Sequence, residues 1–598
     1  MDKENARNTT IFLVCMFVLL IGYEFFVMGP RERQREAQQH AAAAQQATAA
    51  AAAPGSAVYI TRDQALKASP RVAIDTPALK GSVALKGGRI DDLFLKDYRQ
   101  DLAKTSPPVE LFRPEGAKQA YFADFGWSGS AATPGPLTQW SQTAGATLSP
   151  GHPVTLSWDN GAGLVFTRTI AVDDHYMFSV SDTVANHGAT PVQLAPYASV
   201  QRQGEPELSR TSIIHEGAVG SLGGVLRLLP FKAWKKQGDT AFDSKGGWLG
   251  ITDKYWLAAI VPDQSASVKA QFRADAVNGV DVFEADDVGA PRTIAPGAQT
   301  TAATRIFAGA KKVSVLAAYE KTLGIPHFDD AVDWGHFWFL TRPIFWLLET
   351  IHGFVGNFGI AILLLTVVLR GLMFPFANKS YESMSKMKKL APEIEQIKKR
   401  NDKDPAKVQQ ETMALYQREK INPLMGCLPV LVQIPIFFSL YKVLYVSLEM
   451  RHAPFFGWVQ DLSARDPTTF VNLFGLLPFH PAAVPLIGSI LDGPLHIGVY
   501  PILYAATMWL STAMTSQSIT DPSQRLVSQL MPIMLLYFFA STPAGLVIYW
   551  CASNLFTVGQ QYLIMHRFQV DNPIDGLIAR LRGGGGAVTA AAKPPAKR

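Results

Sequence analysis

Cysteine is scarce in this sequence, with only three residues in 598. Cys15, Cys427 and Cys551 all lie within apolar stretches, and the long middle region between the first two contains none. Such positions are typical of small buried residues in membrane helices. The middle region therefore has no disulfide framework and no cysteine metal site.

Charged residues are also few, at 17% of the chain against 48% apolar residues, which is low for a soluble protein. The deficit comes from long uncharged stretches at the N-terminus and after residue 340. The sequence also lacks the glycine-rich loop G-x-x-x-x-G-K-[ST] that binds nucleotide phosphates. We therefore expect a membrane protein that uses no nucleotide, other cofactor or metal.

The N-terminal region predicts an anchor followed by a tether. Residues 10–28, TIFLVCMFVLLIGYEFFVM, are apolar enough to span the hydrocarbon of a bilayer, and no small-x-small cleavage site follows them. We predict an uncleaved transmembrane anchor over residues 1–30. Residues 31–57 form an alanine- and glutamine-rich tether of low complexity.

Residues 58–330 show the alternation of β-strands. Phe166, Ile170 and Val172 share one parity, and Phe178 and Val180 alternate in the same way in a second element, with Asp-Asp and Asn-His-Gly as turns. Many short strands separated by Gly, Pro, Asn and Asp favour a β-sandwich. We expect this domain to be soluble.

The remainder of the chain predicts a membrane core. Residues 331–355 read as an amphipathic segment on the membrane surface. Five spans follow, over residues 356–376, 424–446, 497–516, 525–541 and 544–564, the last four lying within a predicted region of 423–565. Residues 470–491 carry no acidic or basic side chain, but Pro478, Pro481 and Pro485 exclude a lipid-embedded helix, so we assign them to an outer loop at 447–496.

Short-loop charge gives the orientation. The segment 377–422 holds eleven Lys and Arg residues, and the tail at 566–598 is basic, so both are expected in the cytoplasm. Six spans satisfy both placements and leave the N-terminus cytoplasmic and the β domain on the opposite side of the membrane. The predicted fold is a polytopic α-helical membrane protein with a five-helix core and an inserted β-sandwich on that outer side.

Arg370 lies inside the second span, where a permanent cation costs about 3 kcal/mol or more. The other core spans contain no Asp or Glu that could pair with it. Neutral polar residues are present instead and could line a hydrated groove: Thr366, Gln433, Ser439 and Asn554. We favour a wet groove that receives a polar or acidic ligand. The alternative is a structural arginine held by backbone carbonyls.

The cytoplasmic segment predicts a helical hairpin. Its first helix carries Met384 and Met387 at helical spacing, next to Lys388 and Lys389, and Asp404 followed by proline predicts the start of the second. The methionines could meet an apolar polypeptide at the mouth of the groove, or they could simply pack the two helices together.

Five stretches, in order along the membrane core, resemble the YidC-type membrane protein insertases of Gram-negative bacteria. They are GNFGIAILLLTVVLRGLMFP, SKMKKLAPEIEQIKKR, ALYQREKINPLMGCLPVLVQIPIFFSLYKVL, RHAPFFGWVQDLSARDP and PAGLVIYWCASNLFTVGQQ. The β domain is also similar, through TPALKGSVALKGGRI. The loop around 470–496 departs from the family, in which this loop is shorter.

The resemblance implies an insertase and chaperone that is not an enzyme, located in a bacterial inner membrane with its β-sandwich domain in the periplasm. Its five core helices would enclose a hydrophilic groove, closed on the periplasmic side, in which Arg370 attracts the polar tail of a client. Thr366 and Gln433 would line the groove, and Tyr549 and Trp550 would contact the client helix. The implied partners are nascent membrane proteins, the lipid bilayer, the Sec translocon and, through the basic tail, the ribosome; no DNA is implied.

Two alternatives remain at this stage. The family's β domain resembles sugar-active domains, and His152, His175, His187 and His215 are available for acid–base chemistry, although no arrangement is visible in the sequence. A transporter is the second alternative. Secondary transporters usually consist of two related halves, however, and five unlike core helices cannot be divided into such halves.

Overall fold

The computed structural model describes residues 59–206, 214–401, 404–422, 428–485, 487–493, 495–516, 522–567 and 574–575. The predicted anchor at 1–30, the tether at 31–57 and nearly all of the basic tail lie outside these residues. The chain divides into two compact units, one of helices from His336 onward and one of strands up to Gly335, which also takes in the short segment Tyr445–Glu449.

The first unit in chain order consists of two β-sheets. An eleven-stranded sheet has the order β14-β17-β18-β11-β5-β3-β2-β1-β7, with β19 paired to β11 and β4 to β3. Its strands are β1 Arg71–Asp75, β2 Leu79–Ala84, β3 Arg89–Arg99, β4 Pro108–Phe112, β5 Tyr121–Gly129, β7 Thr147–Leu148, β11 Val192–Gln203, β14 Thr240–Lys245, β17 Ser267–Val277, β18 Val280–Gly289 and β19 Arg292–Ile294. Pairing is antiparallel except between β1 and β7.

A nine-stranded sheet has the order β13-β12-β15-β16-β20-β10-β9-β8-β6. Its strands are β6 Ser141–Ala144, β8 Val154–Asp159, β9 Leu164–Val172, β10 Met177–Asn186, β12 Gly217–Leu222, β13 Val225–Pro230, β15 Trp248–Thr252, β16 Trp256–Pro262 and β20 Gln299–Ala310. The helices of this unit are α1 Arg62–Lys67, α2 Phe231–Gln237 and α3 Val313–Leu323.

The two sheets pack against each other, as the alternation predicts. Phe166 and Ile170 of β9 and Phe178 and Val180 of β10 are buried. The Tyr121 hydroxyl on β5 donates to the Ile251 carbonyl on β15 at 3.0 Å, which joins the sheets across the core.

A buried ion pair lies within the nine-stranded sheet, and its arginine reaches across the same core. Arg168 lies opposite Asp182 in the β9–β10 register and donates to both of its carboxylate oxygens at 2.7 Å. It also donates to the carbonyls of Phe125 and Gly88, at 2.6 and 2.8 Å. Gly88 has φ 65°, and a Cβ there would lie 2.8 Å from the guanidinium, so glycine is required at this turn.

The helical unit begins with α4 Trp338–Val355, whose burial is one-sided. Ile344, Phe345 and Leu348 are buried, whereas Trp346 and Phe354 are 67% and 87% exposed. This helix lies within residues 331–355, for which the sequence predicts an amphipathic segment.

Eight further helices follow in the described residues: α5 Phe358–Lys389, α6 Ala391–Arg400, α7 Pro405–Arg418, α8 Leu428–Val446, α9 Gly488–Leu491, α10 Val499–Ser516, α11 Pro522–Ala540 and α12 Ala544–Arg567. Among the described residues, one helical stretch is long and apolar enough to cross a membrane, Phe358–Ser383 within α5. Leu431–Val446 and Leu526–Ala540 are shorter apolar helices.

The helix boundaries differ most from the sequence expectation at the second span. This span was expected to end at 376, but α5 continues through Pro375 to Lys389 and carries the polar residues that follow the apolar run. The proline-rich stretch 470–491 forms short helical turns in place of a long helix, as expected.

Candidate functional site

Arg370 lies half-buried on α5, facing α12. Its Nε donates to the Ser553 hydroxyl at 2.9 Å, and its Nη2 donates to the same oxygen. Within the described residues no ion pair involves Arg370. The cation thus has a neutral partner and no protein counter-ion in the part of the chain that the structure describes.

Ser553 was not among the predicted groove residues, and it is fully buried. Ser553 lies one helical turn beyond Tyr549. The Tyr549 side chain is only 1% exposed, and its hydroxyl reaches the Gln433 side chain of α8. Gln433 Nε2 donates to this hydroxyl at 3.1 Å. The structure therefore places Gln433, Tyr549 and Arg370 on the same side of α12.

Thr366 lies one turn before Arg370 and is fully buried. Its hydroxyl donates to the Ile362 carbonyl of its own helix at 2.7 Å, so its hydrogen-bonding capacity is largely used within α5. Thr366 and Arg370 are four residues apart and therefore lie on the same face of α5.

Trp550 points away from Gln433, Tyr549 and Arg370, into an aromatic cluster. Its ring lies 5.5 Å from Phe437, 6.1 Å from Phe539 and 6.4 Å from Tyr504, measured between centroids. The Trp550 side chain is half-buried, whereas that of Tyr549, the other predicted contact with a client helix, is buried.

Two other predicted groove residues occupy buried positions. Asn554 is 5% exposed and donates to the Thr507 hydroxyl of α10 at 3.2 Å. Ser439 on α8 is 1% exposed, and its hydroxyl has no hydrogen-bond partner among the described residues.

A polar row extends from Arg370 toward the end of α5, and sequence reasoning missed most of it. Gln560 donates to Asn378 at 2.9 Å, and Thr557 and Gln561 lie beside the Tyr381 hydroxyl. We call the following residues the polar seam: Arg370, Asn378, Tyr381, Ser553, Thr557, Gln560 and Gln561. The signal was present in the sequence, because these residues recur at spacings of three, four and eight along two helices.

The seam joins two parallel helices. Ile362 approaches Gly545, Arg370 contacts Ser553, and Asn378 contacts Gln560. The residue numbers of the contacting partners therefore increase in the same direction along α5 and α12. α10 also runs parallel to α12, because Tyr500 and Thr507 contact Cys551 and Asn554 in the same order.

The seam is closed at the end where α12 begins. The amides of Ala544 and Gly545 donate to the carbonyls of Ala464 and Leu462, at 2.7 and 3.0 Å. At the start of α5, a Cβ on Gly359 would lie 1.9 Å from the Phe455 ring, so the loop packs directly on this helix. One loop therefore covers the first turns of both helices.

The other end of the helical unit carries the hairpin α6–α7. Asp404 caps α7 by accepting from the Lys407 amide at 3.1 Å, with proline following, as predicted. Glu411 pairs with Arg400, and Arg418 donates to Glu393 at 3.3 Å, so ion pairs join the two helices.

The predicted hairpin contacts fall at the end of α5. Met387 is half-buried, and Lys389 is exposed. Met384 and Lys388 belong to the same helix, and their side chains lie outside the description.

The structure describes all four histidines of the sugar-active alternative. His152, His175 and His187 are exposed. His215 is buried, and its Nε2 lies 2.8 Å from the Ala218 carbonyl. No group of potential metal ligands occurs among the described residues.

Comparison with known proteins gives consistent matches along the chain. The family model described as the YidC periplasmic domain matches residues 71–347, and that described as the 60Kd inner membrane protein matches residues 350–572. The membrane protein insertase YidC of Caulobacter sp. strain K31 is 54% identical over 626 aligned residues, covering 98% of this chain and 99% of that protein.

The corresponding protein of Caulobacter vibrioides strain NA1000 is 53% identical, again over 98% of this chain and 99% of the relative. A crystal structure of an active YidC insertase, with its first transmembrane domain resolved, is 17% identical and covers 83% of this chain and 94% of its own. Its TM-score of 0.35 is too low to carry an argument.

Proposed function

The chain belongs to the YidC family of membrane protein insertases, and from that premise we propose that it handles the polar flank of a client in a hydrated groove centred on Arg370. The family gives the activity, which is the insertion of newly made membrane proteins. The groove, its residues and the route of the client are our proposal.

The observation that carries the proposal is the pairing of Arg370 with a neutral hydroxyl. A guanidinium cannot be neutralised by losing a proton, and burying it without a counter-ion costs several kcal/mol. One serine cannot satisfy its five donors. Water or a client carboxylate must supply the rest, which requires an open, polar space beside Ser553.

The polar seam supports a route to this space from the end where the hairpin lies. Asn378, Tyr381, Thr557 and Gln560 continue the row for about 16 Å beyond Arg370, at 1.5 Å of rise per residue. The opposite end is covered by the loop that holds the start of α12. A polar flank entering along the seam would stop at Arg370.

The driving force would come from the client. Its apolar segment gains about 25 cal/mol for each Å² that leaves water for lipid. Exposed apolar residues on α5, including Val367 and Leu372, leave that helix open to lipid on its outer face. The groove shortens the path of the polar flank, and no nucleotide is needed.

The proposed membrane arrangement has six spans with both termini in the cytoplasm. The parallel course of α5, α10 and α12 supports it, because the second, fourth and sixth spans must cross in the same direction. Under this arrangement the β unit is periplasmic, and the hairpin with Met384, Met387, Lys388 and Lys389 is cytoplasmic. We further propose contacts with the Sec translocon and, through the basic tail, with the ribosome.

The test is insertion into proteoliposomes that contain no other machinery. The client is a single-span protein with a short acidic tail, and the measured quantity is the protease-protected fraction of that tail. Wild type, Arg370→Ala and Arg370→Lys are compared. We expect a loss with alanine and partial activity with lysine, because lysine keeps the charge and loses the planar fork.

Two controls accompany this experiment. Thermal unfolding of each variant checks the fold, and a client with a neutral tail checks the electrostatic part of the effect. Equal insertion of the acidic tail by wild type and by a folded Arg370→Ala variant would remove Arg370 from the mechanism.

A further inference from the structure

The loop between α8 and α10 has a polar part and an apolar tip. We call the polar part the stem; its residues are Arg465, Asp466, Thr468, Asp492 and His496. From 467 to 491 the loop contains no Asp, Glu, Lys or Arg. We call residues 470–479 the apolar tip. Its exposed large side chains are Phe470, Leu473, Phe474, Leu476, Leu477 and Phe479, and Leu476 is 83% exposed. A contiguous apolar surface of this kind marks an interaction site.

The stem fixes the tip to the first turn of α10. The Tyr500 amide donates to Asp466 Oδ2 at 2.8 Å, and the Val499 amide donates to Thr468 Oγ1 at 3.0 Å. The Phe470 amide donates to the Ile497 carbonyl at 3.0 Å. The loop thus leaves and returns at the same level, where α10 begins.

The length of α10 gives the depth of that level. Its 18 residues span about 27 Å at 1.5 Å per residue, close to the roughly 30 Å of bilayer hydrocarbon. If α10 crosses the membrane as proposed above, Val499 lies at the edge of the hydrocarbon. The apolar tip then starts at that edge.

The stem has the chemistry of the headgroup layer. Arg465 donates to Asp492 Oδ2 at 2.8 Å. The ring nitrogens of His496 lie 3.1 Å from Asp492 Oδ1 and 2.8 Å from the Asp466 carbonyl. These charged groups partner one another, which lets the stem sit among polar headgroups without a further ligand.

The backbone of the tip is largely satisfied from within. The Phe474 amide donates to the Thr469 carbonyl at 2.7 Å, and the Leu477 amide to the Asn472 carbonyl at 3.0 Å. Asn472 also accepts from the Gly475 amide through its side chain at 2.9 Å. Pairing of backbone polar groups is what an irregular segment needs in an apolar layer, and the paired amides of the tip favour a shallow insertion.

We propose that the apolar tip inserts shallowly into the acyl chains of the outer leaflet and anchors the loop that holds the start of α10. Lipid is the occupant that the placement favours, because hydrocarbon lies directly beside the stem. The tip also offers no charge with which to orient a protein partner. The inference rests on the proposed crossing of α10 and is independent of the role of Arg370.

The test measures depth with a nitroxide label at Leu476→Cys, in the full-length protein in lipid nanodiscs without client. The native Cys15, Cys427 and Cys551 are replaced by serine. Collision of the label with oxygen, which concentrates in hydrocarbon, is compared with collision with a water-soluble nickel chelate. Gln460→Cys, an exposed polar position in the same loop region, is the matched control.

We expect the oxygen-to-nickel ratio to be several-fold higher at position 476 than at 460. Equal ratios would place the tip in water and overturn the proposal. Low collision with both reagents would mean that protein covers the tip, either a second copy or another segment, and would also overturn it. Leu477→Cys repeats the measurement should the first variant not fold. The readout needs no insertion activity, so failure of the Arg370 mechanism leaves it unaffected.

Discussion

A carboxylate placed beside Arg370 should switch off the site without disturbing the fold. Ser553 is the neutral partner of the guanidinium, with its hydroxyl 2.9 Å from Nε. Ser553→Asp would set a fixed anion about 4 Å from the cation. The interaction is worth about 1 kcal/mol in water and about 4 kcal/mol at an effective dielectric constant of 20.

These energies translate into rates. A client carboxylate that competes with the new anion should be inserted about five-fold to several hundred-fold more slowly, at 1.4 kcal/mol per factor of ten. A hydrated groove favours the lower end of that range. The assay is the initial rate of acidic-tail insertion in proteoliposomes, with a neutral-tail client measured in parallel.

The matched control is Ser553→Asn, which has the same shape as the aspartate and keeps an acceptor but adds no charge. We expect it to insert the acidic tail within about twofold of wild type, since its cost is at most that of a modified hydrogen bond. Undiminished insertion by a folded Ser553→Asp variant would refute the reasoning. In that variant the new aspartate pairs with Arg370, so Arg370 could not be the group that attracts the client's acidic tail.

Two further predictions concern the β unit. Burial raises the pKa of Asp287 to about 7, so its contribution to stability is greatest at low pH and is lost as the pH rises toward 7. Asp287→Asn should therefore gain about 2 to 3 kcal/mol of stability relative to wild type between pH 5 and pH 8, measured by denaturant unfolding followed by tryptophan fluorescence; a pH-independent difference would contradict this. Asp182→Asn leaves Arg168 buried without its counter-ion and should cost about 3 to 5 kcal/mol in the same assay, and a cost below about 1 kcal/mol would show that the pair is not sealed from water.

Strand periodicity in the sequence located the sheets but not the charge within their core. The buried parity of β9 includes Arg168 together with Phe166 and Ile170, and alternation alone makes that arginine an exception. The reason that an arginine is tolerated there is visible only in the strand register, which places Asp182 directly opposite Arg168. The alternation of apolar residues can be recognised within one strand. Whether a buried charge has an ion-pair partner, by contrast, depends on which strand pairs with it in the sheet.

The candidate site shows the same limit in the helices. Arg370 stands out in sequence because its cost in lipid is large, whichever neighbour it has. Ser553, Thr557 and Tyr381 are unremarkable residues taken singly, and they form one row only because α5 and α12 run parallel in a particular register. The role of each remains a proposal, while the family and its activity follow from similarity along nearly the whole chain.

The most direct measurement of the central claim is water access to the polar seam. Thr557→Cys faces the seam one turn from Ser553, whereas Leu555→Cys on the same helix is 55% exposed on the apolar face. A charged thiol reagent added to proteoliposomes reacts only with a hydrated thiolate. In a chain otherwise free of cysteine, the account predicts labelling at 557 and none at 555. Labelling at neither position would mean that the arginine lies in a dry site, and it would contradict the groove.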